Sequence, residues 1–187
     1  MASHAIVGVS DHAGWAVLMT VGPHHALLDR RRVALIDEGL PCLPHHHEAQ
    51  GKPEAEGVAL VKRVQQSAEK HAATCLDALA KSLSGEIGEI ALRTLPKLPD
   101  TIAGRIASYH AQTRADGVMY REAVAKAARD RGWAVYWFDA KTVFTDAERT
   151  FKRGPIEELF KQTKAQLGPP WQKDHKLAMA AAIAAGA

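Results

Sequence analysis

The 187-residue sequence predicts an α/β fold in which helices cover both faces of a five-stranded mixed sheet. Three short apolar runs between residues 5 and 37 are separated by glycine-containing turns, which is typical of an antiparallel meander. After residue 53, helical apolar periods alternate with two further strand-like runs. We expect one domain over residues 1–187, with the helices of residues 155–187 packed on it.

The meander begins with the apolar run IVGV, which ends at Ser10-Asp11-His12. A tight turn at Gly14, a second strand and a third strand over residues 26–36 follow. We expect Asp11 at the edge of the sheet, where a carboxylate can hold a metal ion, a phosphate or a proton. Asp11 and His12 are therefore the first candidates for a site, with an Asx turn as the structural alternative.

The remaining elements follow from apolar spacing and from helix-breaking residues. Residues 38–53 lack a period and predict a long loop, whereas apolar side chains from Val61 to Leu79 recur every three or four positions. Strands are predicted at residues 86–94 and 133–138. Helices are predicted at residues 54–83, 101–109, 116–131, 155–167 and 171–185, with a partly helical segment at 145–153.

Composition sets limits on the class of protein. Hydrophobic residues make up 47% and charged residues 24%, as in ordinary soluble domains. Cys42 and Cys75 predict reduced thiols in a cytoplasmic protein, and no apolar run reaches membrane-spanning length. The N-terminus does not have the pattern of a signal peptide. The net charge of +3 permits nucleic-acid binding without requiring it.

Three further clusters of polar residues are candidates for function. His110, Arg114, Arg121 and Glu122 follow the fourth predicted strand, and the arginines would suit a phosphate or carboxylate ligand. Helix capping and ordinary surface pairing are the alternative. The histidines at 45–47 could supply metal ligands, or they could lie in a solvated loop. In the run at 30–32, strand alternation predicts one arginine on one face and its two neighbours on the other.

The element order and two short motifs resemble the ribonuclease H-like superfamily, and within it the Holliday-junction-resolvase branch. The segment IVGVSDHAGWAV is similar to the family's first strand, acid and glycine turn, with Asp11 at the acid. The segment KDHKLAMAAAIAA is similar to the branch's last helix, and it contains Asp174 and His175.

This resemblance implies clustered carboxylates that bind two divalent ions, Mg²⁺ or Mn²⁺. One ion generates the attacking hydroxide and both stabilise the developing charge. Asp11, Asp174 and His175 would be the metal ligands, and His110 would join them as a catalytic residue. Because the first strand would be central and would end against the start of the last helix, we expect Asp11 to lie near Asp174 and His175.

The chain departs from the family at the end of the fourth strand, where an acid is usual. Arg93 stands there, and Glu89 is the nearest carboxylate. Two functions therefore remain open. One is a metal-dependent phosphodiesterase or nuclease acting on nucleic acid or a phosphate ester. The other is a non-catalytic ribonuclease H-like binding module for a protein partner or small ligand. A nucleic acid is the expected partner for the first function. The sequence leaves open whether the chain forms a homodimer.

Overall fold

The computed structural model describes residues 4–186 and contains one five-stranded sheet. Its strands are β1 (Ala5–His12), β2 (Trp15–Val21), β3 (Leu27–Ala34), β4 (Ile87–Arg93) and β5 (Ala134–Phe138). The order across the sheet is β3-β2-β1-β4-β5. β2 is antiparallel to β1 and β3, whereas β4 is parallel to β1 and β5. The predicted meander and mixed sheet are confirmed, with β1 at the centre.

The helices in this part of the chain are α1 (Glu54–Ser82), α2 (Ile102–Ala107), α3 (Tyr109–Arg129), α4 (Val143–Phe151), α5 (Ile156–Leu167) and α6 (Lys173–Ala185). The helix α3 begins before the predicted residue 116, because the Ser108 hydroxyl accepts a hydrogen bond from the Ala111 amide and caps the helix. The predicted loop 38–53 contains a short π-helical turn, Pro44–Glu48. Within residues 4–186, no helix combines the length and the apolar character needed to cross a membrane.

The helices form one layer on each face of the sheet. Successive side chains of β1 point to opposite faces. Val7 and Val9 belong to the core formed with α1 and α3, and we call this side the α3 face. Ile6 belongs to the core formed with α4 and α6, and we call this side the α6 face. Residues of β1 therefore alternate between two separate cores.

The contact between β1 and α6 is made by small residues. A side chain at Gly8 would collide with the carbonyl oxygen of Ala178, so glycine lets the helix backbone approach the strand. Ala178 and Ala182 are buried, and Gly186 lies near Ile6 at the far end of the helix. The helix α6 therefore runs antiparallel to β1, and its first turn lies beside the end of that strand.

The arginine run in β3 alternates as predicted. Arg31 pairs with Asp29 at 2.7 Å and donates to the Ser82 hydroxyl at the end of α1, so it lies on the α3 face. Arg30 lies on the other face and donates to backbone carbonyls in the segment before α6. Arg32 also lies on the α6 face, with its guanidinium carbon 4.1 Å from the centre of the Trp15 ring. This strand therefore carries positive charge to both faces.

Candidate functional site

The ends of β1 and β4 meet at one edge of the sheet because the two strands are parallel. Gly8 pairs with Ala91, and continuing this register by two residues sets Ser10 beside Arg93. Ala91 packs in the core of the α6 face, and Gly8 packs on α6, so the side chains two residues later also lie on that face. Ser10, His12, Arg93 and Asp174 are called the α6-face rim below.

Asp174, in the first turn of α6, is bonded to the end of β1. Its Oδ1 accepts a hydrogen bond from the Ser10 hydroxyl at 2.8 Å and lies 2.9 Å from His12 Nε2. Burial acts to raise the pKa of this carboxyl, but the hydrogen bonds from His12 and Ser10 outweigh it and hold the pKa below its usual value. The side chain remains 24% exposed, so Asp174 is a partly open carboxylate at neutral pH.

His12 is held in place by a stack of planar groups. Its ring lies parallel to that of Trp15, with centroids 4.0 Å apart and an interplanar angle of 4°. The Arg32 guanidinium covers a face of the Trp15 ring. The stack fixes the plane of the imidazole, and it directs Nε2 at Asp174.

Arg93 brings a positive charge to the same edge. Its Nε is buried and, among residues 4–186, has no hydrogen-bond partner. A buried N–H without an acceptor is unfavourable, most of all on a charged group. The side chain as a whole is half-buried, so an anionic ligand at the α6-face rim can contact the guanidinium from solvent, and a guanidinium fits the geometry of phosphate oxygens.

Asp11 lies at the same end of the sheet as Asp174, but its carboxylate points to the other face and so does not share a site with Asp174 and His175. Its Oδ2 is 2.9 Å from Arg121 Nε, and the Asp11 side chain is 5% exposed. Arg121 also donates to the carbonyl oxygen of Thr94 at 2.9 Å. The reason is strand alternation, because the residue after Ser10 must point to the α3 face.

His175 has a capping role at the start of α6. Its Nδ1 accepts the hydrogen bond of the Gln172 amide at 3.0 Å, and its ring stacks on Trp171. Burial lowers the pKa of the imidazole, and the nearby Arg30 lowers it further, while the Asp174 carboxylate acts in the opposite direction. His175 is therefore engaged within its own helix start and does not bond to the α6-face rim.

The residues predicted around the start of α3 do not converge. His110 is exposed and precedes Arg121 by eleven residues, which is about 16 Å along a helix. Arg114 is also exposed. Glu122 lies 3.6 Å from Arg105 Nη1, and Arg121 points inward to Asp11. These four residues therefore do not form one site. His110, at the start of α3, also does not join Asp174 on the α6 face.

One histidine of the run at 45–47 forms a buried pair with an aspartate on α3. Neither the metal-ligand nor the solvated-loop interpretation of this run predicted it. His45 Nδ1 lies 2.8 Å from Asp116 Oδ1 on α3, and both side chains are buried. The Asp116 carboxylate also accepts hydrogen bonds from the backbone amides of His45 and His46. Only His47 of the three is exposed to solvent. Asp116 was missed because its partner lies 71 residues away and no local pattern links them.

The donor set of the α6-face rim does not fit the divalent ions that the resemblance implies. Among residues 4–186, no group of three or more His, Cys, Asp or Glu side chains could hold a metal ion. The rim offers one carboxylate, one imidazole and one hydroxyl, and the Arg93 guanidinium would repel a second cation. Mg²⁺ and Mn²⁺ prefer several oxygen ligands, including carboxylates.

A scan against protein-family models and a search of curated protein sequences find no match to this chain. Solved structures do match. T. thermophilus RuvC in complex with Holliday junction substrate is similar with a TM-score of 0.53 and 13% identity, over 97% of this chain and 91% of that chain. A second structure of Thermus thermophilus RuvC gives a TM-score of 0.50 and 14% identity, over 96% and 91%. The chain therefore has the ribonuclease H-like fold of RuvC, as predicted.

Proposed function

We propose that this chain is a nucleic-acid-binding protein of the ribonuclease H-like fold, and that its α6-face rim holds a phosphodiester with Arg93 where a metal ion would otherwise sit. The observation that carries the proposal is the buried Arg93 Nε, which has no acceptor among residues 4–186. The Arg93 side chain as a whole is only half-buried, so a phosphate that contacts its guanidinium from the solvent side neutralises the charge. The cation is then part of the protein, so binding requires no Mg²⁺ or Mn²⁺.

The surroundings of the α6-face rim suit a polyanion. Exposed Arg32 and Lys173 flank it, and the N-terminus of α6 adds a partial positive charge. A cavity of about 500 Å³ lies just before α6 and is lined by Lys161, Lys164 and Trp171, among others. Basic side chains beside an aromatic ring are the usual contacts of a nucleic-acid strand. A strand held at Arg93 could continue toward this cavity.

The ligand to test first is DNA. One of the similar structures is RuvC in complex with Holliday junction substrate. Branched DNA is therefore the first form that we would compare with duplex and single strands. The metal-dependent phosphodiesterase expected from the resemblance is the less favoured function, because Asp174 is the single carboxylate of the α6-face rim.

Binding is tested by fluorescence anisotropy with labelled four-way junctions, duplexes and single strands in EDTA. Arg93→Gln should raise the Kd by about tenfold to a hundredfold, since a charged hydrogen bond contributes roughly 1.5–3 kcal/mol. The plot of log K against log salt should also become shallower by about one unit of slope, because one phosphate contact is lost. Arg63→Gln is the matched control, because Arg63 is exposed on α1, on the other face.

Two results would overturn the proposal. One is equal affinity of Arg93→Gln and the wild type, and the other is no binding of any nucleic acid at low salt. The same DNA incubated with Mg²⁺ or Mn²⁺ and separated on a denaturing gel tests the alternative. Cleavage that disappears in Asp174→Asn would establish the metal-dependent nuclease instead.

A further inference from the structure

A second concentration of positive charge lies at the opposite end of the sheet, about 18 Å from the α6-face rim if the twelve positions from Asp174 to Gly186 are counted at the helical rise. A cavity of about 420 Å³ is lined there by Arg149, Lys152 and Arg153, together with His25 and Phe151. We call it the α4 cavity, because most of its wall follows the last turns of α4. Its volume falls within the usual range for small-molecule sites.

The charges that line the α4 cavity are incompletely neutralised. Within the described chain, its lining contains basic side chains and no carboxylate. Arg149 pairs with Asp146 at 3.0 Å, whereas within residues 4–186 Arg153 makes hydrogen bonds only to the carbonyl oxygen and the ring of His24, both at 3.5 Å. Burial lowers the pKa of His25, and the neighbouring Arg153 and His24 lower it further. The cavity is therefore electropositive.

The backbone around the α4 cavity takes left-handed conformations at three residues, one of which is the C-cap of α4. His24, His25 and Lys152 have φ angles of 62°, 64° and 53°, and among residues 4–186 they are the only non-glycine residues with positive φ. Left-handed backbone is unfavourable for residues that carry a Cβ, and such strain tends to gather at binding sites. His25 and Lys152 line the cavity, and His24 lines the cavity next to it.

We propose that the α4 cavity binds a small phosphate monoester with an aromatic or apolar body. The phosphate would lie among Arg149, Lys152 and Arg153, which can supply several charge-assisted hydrogen bonds. The body would lie against Phe151, whose ring meets that of His25 edge to face with centroids 5.3 Å apart. The cavity lies between the end of α4 and the β2–β3 turn, and its volume of about 420 Å³ suits a compact ligand.

The test uses phenyl phosphate as the probe, with phenol and inorganic phosphate for comparison, in calorimetry and thermal-shift measurements. Phenyl phosphate should bind best, inorganic phosphate more weakly and phenol not measurably. Arg153→Gln should raise the Kd for phenyl phosphate about tenfold. Arg63→Gln, on α1 at the opposite face of the sheet, should leave it unchanged.

Lys152→Gly separates binding from folding. Glycine tolerates the φ of 53°, so the variant should melt no lower than the wild type without ligand, yet bind phenyl phosphate several-fold more weakly. Lys141→Gln, at an exposed lysine after β5, should behave as the wild type. The proposal is overturned if phenyl phosphate gives no shift at millimolar concentration, if phenol binds equally well, or if Lys152→Gly and Arg153→Gln keep wild-type affinity. Displacement of phenyl phosphate by a short DNA duplex would also overturn it, in favour of a nucleic-acid surface.

Discussion

Asp11 and Asp174 lie at the same end of the sheet, one on each face, and their surroundings differ. Asp11 is 5% exposed and closed off by the Arg121 guanidinium. Asp174 is 24% exposed, and its partners Ser10 and His12 are uncharged or only conditionally charged. Asp11 points from β1 to the α3 face and joins α3 to the sheet, whereas Asp174, on α6, bonds to the two neighbours of Asp11 on the other face and stays partly exposed.

The α3 face is closed at this end by a second buried pair. His45 and Asp116 join the loop before α1 to α3, and the Tyr120 hydroxyl donates to the Cys42 carbonyl in the same loop. The α6 face has an open counterpart in the α6-face rim, where Arg93 Nε lacks an acceptor among residues 4–186. The charged groups of the α3 face pair with one another in the interior, whereas Asp174 and Arg93 at the α6-face rim are only half-buried.

The largest expected effect is on the closed side. Asp11→Ala should lower the free energy of unfolding by about 3–5 kcal/mol, because it leaves Arg121 buried without its partner. Chemical denaturation measures the loss. The double variant Asp11→Ala/Arg121→Met should recover most of it, since the unpaired charge is then removed. A loss below about 1 kcal/mol in the single variant would contradict the buried-pair assignment.

The corresponding change on the open side should cost less. Asp174→Ala removes two hydrogen bonds from a partly exposed group, and we expect a loss of about 1 kcal/mol in the same measurement. Nucleic-acid affinity should rise or stay equal, because the Asp174 carboxylate no longer repels the phosphates of the ligand. A loss as large as that of Asp11→Ala would remove the distinction between the two aspartates.

A smaller effect concerns pH and His175. Its pKa is lowered in the folded protein, so the unfolded chain binds more protons below the ordinary imidazole pKa of about 6.5. Its contribution to stability is complete above that pH, and it is lost as the pH falls through the folded pKa. His175→Gln keeps a suitable capping residue and should flatten the decline in melting temperature below pH 6.5. The control His110→Gln, at an exposed position, should keep the wild-type slope.

The smallest effect expected is that of divalent ions. Millimolar Mg²⁺ or Mn²⁺ should change the melting temperature by less than about 1 °C, because a ligand stabilises a protein only through affinity for the folded state. Thermal-shift measurements in EDTA and in metal check this. A metal-dependent rise that Asp174→Asn abolishes would show that the α6-face rim holds a cation after all.

Much of the fold follows from local patterns. Period-two runs and glycine turns predicted the meander, and the apolar spacing from Val61 to Leu79 predicted α1. The prediction that the last helix begins beside the end of β1 is also confirmed, since Ser10 and His12 bond to Asp174. The meander and α1 could be predicted because each depends on residues a few positions apart, whereas the place of the last helix was predicted from the element order of the whole chain.

The partners of the charged groups could not be found in the same way. Asp11 and Arg121 are 110 residues apart, and their contact depends on how α3 is rotated about its axis. Strand alternation could have assigned Asp11 to one face and Ser10 with His12 to the other, and that signal was present in the sequence. The burial of His45 depends on Asp116, so the composition of the loop alone gives no sign of it.

The close contact of Gly8 with Ala178 has a consequence for protein engineering. Because backbone and methyl groups set the spacing of β1 and α6, the residues at the α6-face rim can be exchanged without disturbing the frame that carries them. Ser10→Asp together with Arg93→Glu would graft two further carboxylates beside Asp174, giving the oxygen-rich donor set that Mg²⁺ and Mn²⁺ prefer. Such a variant, titrated with Mn²⁺ by calorimetry, would show whether this scaffold accepts an installed metal centre through two side-chain changes.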